Sequence, residues 1–134
     1  MTTSNKALGA SYEEAFAEEL FKRGFWVHLL RQTESGQPAD LIACRNGRAF
    51  LFDCKVCMNG KFPLDRIEEN QKLGMSEFTL RGNEDGWFAL LLDDETYLLP
   101  LHFMMRHPMK YLNRDQIKHY GISIDEWERE WFVL

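Results

Sequence analysis

The sequence has few cysteines, no long hydrophobic run and no internal repeat, and each absence excludes a class of protein. Its 134 residues include only three cysteines, an odd number that argues against a disulfide framework. No apolar stretch has the length of a membrane span or the pattern of a signal peptide. We therefore expect a cytoplasmic protein with no membrane partner, formed by a single domain over residues 1–134 with residues 1–8 as a flexible tail.

Positive charge is scarce in the chain as a whole but is concentrated in its middle. The net charge is -5, yet residues 22–66 contain eight basic and four acidic residues, a local balance of +4 that leaves -9 for the remainder. A basic middle on an acidic chain is compatible with a phosphate-binding face. Mixed surface charge is also ordinary in soluble domains, so both interpretations stay open at this point.

The most informative stretch contains two apolar runs that flank Asn46-Gly47. Asn-Gly between apolar runs is a strong signal for a β-hairpin with a two-residue turn. This turn predicts that Asp40 faces Asp53 across the hairpin, with both side chains on one side of the sheet. Lys55 lies two residues beyond Asp53, so it is expected to project from the same side.

Facing carboxylates at Asp40 and Asp53 would repel each other unless a cation lies between them. Their hard oxygen ligands suit Mg²⁺ or Mn²⁺. The Lys55 ammonium could orient an attacking water and offset charge that develops on a phosphate. The alternative is an exposed hairpin edge with ordinary solvated charges.

Two helices are predicted around this hairpin. Residues 11–23 show apolar positions at helical spacing before Gly24, and Asp65 and Glu68 have the spacing of a capping box at the start of a second helix. Gln71 is a polar exception on the apolar face of the second helix. It is either a boundary residue bonded to the backbone or a polar group directed into the site.

The remaining chain predicts a strand before the hairpin and mostly short elements after the second helix. We expect strands at 25–30, 87–92 and 96–101, a short helix at 101–106, and a capped helix after Ser123 and Glu126.

Two further patterns are interpreted as structural. Cys54 and Cys57 have C-x-x-C spacing, but residues three apart in a strand point to opposite faces, which argues against a redox or zinc site. His28 lies in an apolar run and is expected in the core or at its boundary.

The ordered motifs resemble those of PD-(D/E)XK nucleases. They are Glu13 in the opening helix, Pro38-Ala39-Asp40, and Asp53-Cys54-Lys55 after the hairpin. Residues 9–14, 61–71 and 121–126 are similar, more closely, to RecU-type Holliday junction resolvases. The resemblance implies an α/β, restriction-endonuclease-like core with a mixed β-sheet flanked by α-helices. It also implies a homodimer that makes paired incisions in branched DNA, in recombination or repair.

The resemblance also implies a site. Its catalytic residues would be Asp40, Asp53, Lys55, Glu13 and Gln71. Mg²⁺ or Mn²⁺ would be bound by Asp40, Asp53, Glu13 and the backbone carbonyl of Cys54. The predicted function is hydrolysis of phosphodiester bonds in a Holliday junction or other branched DNA. The alternatives are a nuclease-like module that binds DNA without cutting it, and a nuclease that acts on other DNA structures.

Overall fold

A five-stranded mixed sheet with helices on both faces forms the centre of the protein, of which the computed structural model describes residues 5–30 and 36–132. The sheet has the order β1-β2-β3-β5-β6, and β4 pairs with β7 in a second, two-stranded sheet. The elements are α1 (Asn5–Lys22), β1 (Trp26–Leu29), β2 (Leu41–Arg45), β3 (Arg48–Val56), β4 (Lys61–Pro63), α2 (Glu69–Leu80), β5 (Trp87–Leu92), β6 (Glu95–Pro100), α3 (Leu101–Arg106), β7 (Tyr111–Asn113), α4 (Arg114–Tyr120) and α5 (Ile124–Phe132). The predicted class, a mixed sheet flanked by helices, is confirmed.

The predicted hairpin joins β2 and β3. Its turn residues, Asn46 and Gly47, have φ values of 51° and 78°, and positive φ at both positions is what the tight hairpin turn requires. The ladder runs in the expected register from Arg45 opposite Arg48. On its other side β3 pairs in parallel with β5, which is possible because α2 carries the chain back across the sheet.

Two hydrophobic cores lie on the two faces of the sheet, and β3 contributes to both. Phe50 and Phe52 pack with α1 and with Trp127 of α5, whereas Leu51 packs on the face covered by α2, α3 and α4. Strand residues alternate between faces. A strand buried on both faces therefore needs a nearly continuous apolar run, and β3 has one at residues 49–52.

Two predicted boundaries are wrong. The first helix begins at Asn5 rather than at residue 11, so it includes residues 5–8 of the predicted tail, while residues 1–4 lie outside the described chain. The second helix begins at Glu69 rather than near Asp65, and residues 64–66 form a separate 3₁₀ turn. The physical reason is that Gln71 Oε1 accepts the Glu68 N–H at 3.1 Å, which caps the helix at Glu68.

The expectation that His28 belongs to the core is also wrong. It lies on β1, an edge strand of the sheet, and it is exposed. Its ring stacks on that of Trp26, with centroids 5.9 Å apart. Val27, which lies between them, packs against the core beneath α1 and α5, so the side chains of Trp26 and His28 point away from that core.

The prediction that Cys54 and Cys57 point to opposite faces is confirmed. Cys54 packs against the core beneath α1 and α5, and Cys57 against the core on the other face. All three cysteines are free thiols in the structure.

Over the described ranges, no helix has the length and apolarity that a membrane crossing needs.

Candidate active site

Asp53 is a buried carboxylate at the centre of the sheet, with only 1% of its surface exposed. Its Oδ1 accepts a hydrogen bond from Gln71 Nε2 at 2.8 Å. Its Oδ2 lies 3.0 Å from Lys55 Nζ but accepts no hydrogen bond of good geometry from any described residue. Burial, and after it repulsion from Asp40, raises the pKa of Asp53 to about 7, with Lys55 opposing the shift.

Asp40 lies one residue before β2, and its position departs from the predicted pairing. The ladder ends at Leu41 opposite Phe52, and the Asp40 N–H donates to the same Phe52 carbonyl at 3.0 Å. Asp40 and Leu41 therefore both lie opposite Phe52, as in a β-bulge. Asp40 is for this reason not directly opposite Asp53. Its Oδ2 instead accepts the N–H of Cys54 at 2.8 Å, so its carboxylate still reaches β3 beside Asp53.

The segment that carries Asp40 is held against α2. Asn70 Nδ2 donates to the Gln37 carbonyl at 2.9 Å. Pro38 lies so close to Gly74 that a Cβ at residue 74 would overlap the proline ring. Glycine at 74 thus allows the close approach that places Asp40 at the end of the sheet.

Gln71 combines the two interpretations that its sequence position left open. Its Oε1 accepts the Glu68 N–H and caps α2, and its Nε2 reaches Asp53. The Gln71 amide therefore connects the start of α2 to the buried Asp53 carboxylate and fixes the orientation of that carboxylate.

Lys55 and Glu13 complete the group at an open cleft of about 510 Å³. Asp40, the backbone of β3 after Asp53, and residues of α1 line this cleft, and Lys61 and Arg66 lie along its far wall. Burial, followed by repulsion from Asp40, raises the pKa of Glu13 to about 7. The structure thus brings all five predicted catalytic side chains to one end of the sheet.

These residues fit a divalent cation. Asp53 Oδ2 is a buried carboxylate oxygen whose charge is balanced by one ammonium, that of Lys55 at 3.0 Å, and Asp40 is a second carboxylate whose charge raises the pKa of the first. Hard oxygen donors of this kind suit Mg²⁺. In the described part of the chain no three Asp, Glu, His or Cys side chains converge closely enough to hold an ion by themselves. Backbone and water oxygens would have to complete the coordination.

A mixed sheet whose hairpin presents two aspartates and a lysine beside a cleft defines the protein as a PD-(D/E)XK nuclease. The model of the archaeal Holliday junction resolvase (Hjc) family matches residues 4–129. The chain therefore belongs to the Hjc family and is a Holliday junction resolving endonuclease. The resemblance seen in the motifs is confirmed for the nuclease class and for Holliday junction resolvases, with the archaeal family matched rather than the RecU type.

Individual relatives agree with this assignment. The chain is 28% identical over 120 residues to the crossover junction endodeoxyribonuclease Hjc of Methanocaldococcus jannaschii, covering 90% of this chain and 84% of the relative. Archaeoglobus fulgidus Hjc has the same fold, with a TM-score of 0.72, 15% identity, and coverage of 91% of this chain and 99% of that one. A bacterial homing endonuclease superposes with a TM-score of 0.63, 14% identity, and coverage of 95% and 91%.

Sequence reasoning missed the outer parts of the site. Leu8 and Gly9 of α1 and Asn59 after β3 line the cleft, although none carried a catalytic pattern. The Arg66 guanidinium donates to the Val56 carbonyl at 2.9 Å, which holds the 3₁₀ turn against the end of β3. The Asn59-Gly60 pair is the one feature of the sequence that predicts a turn at this position.

Proposed function

We propose that this protein cuts four-way DNA junctions by metal-dependent hydrolysis of a phosphodiester bond at the cleft of Asp40, Asp53 and Lys55. The observation that carries the proposal is the buried Asp53 carboxylate beside the second carboxylate of Asp40, with the Lys55 ammonium 3.0 Å from Asp53 Oδ2. Since the substrate is DNA, we expect the enzyme to act in the cytoplasm, in recombination or repair.

The roles of the side chains follow from their positions. Asp40 and Asp53 would hold Mg²⁺ or Mn²⁺ together with the Cys54 carbonyl. Glu13, which lies on α1 and not on the sheet, would contact water molecules bound to the ion. When bound, the ion would supply Lewis-acid stabilisation of the phosphate. Gln71 holds the Asp53 carboxylate in one orientation through its 2.8 Å hydrogen bond.

Lys55 is placed to act on the attacking water. Its ammonium lies 3.0 Å from Asp53 Oδ2 and borders the cleft, so it can donate to a water there and offset negative charge on the phosphate. A preorganised donor in a partly buried site stabilises a transition state more than it stabilises the ground state.

We expect nicking of a labelled four-way junction in Mg²⁺, with little cutting of linear duplex or of a flap. Asp40→Asn should abolish both the cleavage and the binding of Mn²⁺ measured by calorimetry, and with it the rise in melting temperature that the metal causes. Asp125→Asn on α5 removes the same charge at a pocket that it shares with Arg45, outside the catalytic cleft, and is the control. Unchanged metal binding in Asp40→Asn would refute this site.

The alternative that the sequence left open, a module that binds DNA without cutting it, is not favoured. The chain belongs to a family of resolving endonucleases, and both aspartates and the lysine are present. It would be the better description if the wild type bound junctions in every divalent metal but never nicked them.

We further propose that the enzyme acts as a homodimer. Two symmetric cuts need two identical sites, which a two-fold dimer supplies. The exposed side chains of Leu73 and Leu80 lie two turns apart on α2, and Met105 is exposed on α3. A shallow groove that Met105 lines together with Ser76 and Thr79 of α2 runs between the two helices, so this face offers exposed apolar side chains of the kind that interfaces bury.

Leu80→Glu, a change at a side chain with 80% of its surface exposed, should convert the dimer to a monomer in light scattering at micromolar protein. A buried charge at an interface without a partner is costly. Phe21→Glu on α1, also an exposed apolar position, is the matched control and should remain dimeric. A wild type that is strictly monomeric with and without DNA would exclude the dimer.

A further inference from the structure

A second cleft adjoins the catalytic one, and three lysines line it: Lys61, Lys72 and Lys110. We propose that this lysine cleft binds the sugar-phosphate backbone of the DNA strand on one side of the cut. The proposal rests on the proposed function and adds to it a defined path for the substrate.

The lysine cleft and the catalytic cleft are continuous. Lys61 and Pro63 of β4 line both of them. A DNA strand with one phosphate at Asp40 and Asp53 can therefore continue along β4 from the catalytic cleft into the lysine cleft. No other described pocket shares a residue with the catalytic cleft.

Three of the five cations that line the two clefts have no described carboxylate partner, whereas Lys55 pairs with Asp53, Lys72 pairs with Glu69, and Asp65 also lines the lysine cleft. Of the basic side chains that the structure describes, five have no carboxylate within 4 Å: Lys61, Arg66, Lys110, Arg106 and Arg129. The first three line the two clefts. On a chain with a net charge of -5, unpaired cations concentrated beside a catalytic site favour a polyanionic ligand.

The backbone fixes the spacing of these lysines. The Leu64 N–H donates to the Lys110 carbonyl at 2.9 Å, which places Lys110 opposite Leu64, three residues along from Lys61. Three strand residues cover about 10 Å at about 3.4 Å each, so the backbones at Lys61 and Lys110 are about that far apart along the sheet. Both residues line the lysine cleft, so they can contact different phosphates of one DNA strand.

Tyr111 orients the first of these cations. Pro63 pairs with Tyr111 and Lys61 with Asn113 across the two-stranded sheet, so Lys61 and Tyr111 are diagonal neighbours. The Lys61 ammonium lies 5.2 Å from the centroid of the Tyr111 ring. A cation–π contact of this kind restricts the ammonium without neutralising it, and Lys61 keeps its charge for a phosphate.

The test is the salt dependence of binding to a four-way junction in Ca²⁺, for wild type, Lys110→Ala and Lys110→Glu. Each lost phosphate contact should lower the slope of log K against log salt by about 0.9, which corresponds to about eightfold weaker binding at 0.1 M salt. Arg129→Ala removes another unpaired, exposed cation, on α5 away from both clefts, and is the matched control. It should leave the slope as in the wild type.

The outcomes separate this proposal from the proposed function. A slope for Lys110→Ala equal to that of Arg129→Ala would overturn the lysine cleft, even if the wild type cuts junctions normally. Failure of the wild type to bind DNA would overturn both. A reduced slope in a protein that never cuts would support the path while refuting the nuclease.

Discussion

Replacing Lys55 with alanine should lower the single-turnover rate of junction cleavage by at least about a hundredfold while leaving DNA binding nearly intact. Loss of one preorganised donor in an active site costs about 10² to 10³ in rate, because its interaction is strongest in the transition state. Lys55 borders the same cleft as Asp40, and its ammonium contacts Asp53, so its effect should fall on the chemical step.

Lys61→Ala is the reciprocal variant for this experiment. Lys61 lies farther along the cleft, so its loss should weaken binding in Ca²⁺ and change the saturated rate little. If Lys55→Ala cuts at the wild-type rate once the DNA is saturated with protein, Lys55 is a phosphate contact and not a catalytic residue.

Trp127→Ala should produce the largest loss of stability of any single substitution considered for this chain. Trp127 is fully buried, with 0% of its surface exposed. Its ring packs at 4.9 to 6.5 Å from five other aromatic rings, those of Phe25, Phe50, Phe52, Trp87 and Phe132. Truncation of a buried tryptophan costs about 3 to 5 kcal/mol, a large part of a typical unfolding free energy of about 5 to 15 kcal/mol.

Trp26→Ala makes the same chemical change at a side chain that is 61% exposed on β1. Substitutions at exposed positions usually shift stability by about 0.5 kcal/mol or less. Urea unfolding of the two variants at one fixed protein concentration gives the comparison. Equal midpoints for Trp127→Ala and Trp26→Ala would mean that α5 does not close the core.

The parts of the site that depend on neighbouring residues could be predicted from the sequence. The Asn46-Gly47 turn determines the register of β2 and β3, and that register brings the end of β2, next to Asp40, beside the part of β3 that carries Asp53. The capped helix after Ser123 is equally local, with the Glu126 N–H donating to Ser123 Oγ at 3.1 Å. Turns and caps involve contacts over a few residues, so their signals are visible in one sequence.

The parts that depend on distant contacts could not be predicted. The parallel pairing of β3 with β5 and the pairing of β4 with β7 leave no local signal, so the position of Lys110 beside Lys61 was not foreseen. The bulge at Asp40 was missed for a similar reason. It depends on Pro38 packing against Gly74, a contact between segments 36 residues apart in sequence. His28 was misplaced because an apolar run does not reveal that its strand lies at the edge of the sheet.

The alternation along β3 also limits how this gene can change during evolution. Phe50 and Phe52 enter one core while Leu51 and Asp53 face the other side. Insertion or deletion of one codon between Gly47 and Asp53 would exchange the two sets, and a carboxylate would then replace an aromatic ring beside Trp127. Single substitutions along β3 can be tolerated one at a time, but a change in its number of residues cannot. Length differences among homologous chains should therefore fall outside the hairpin.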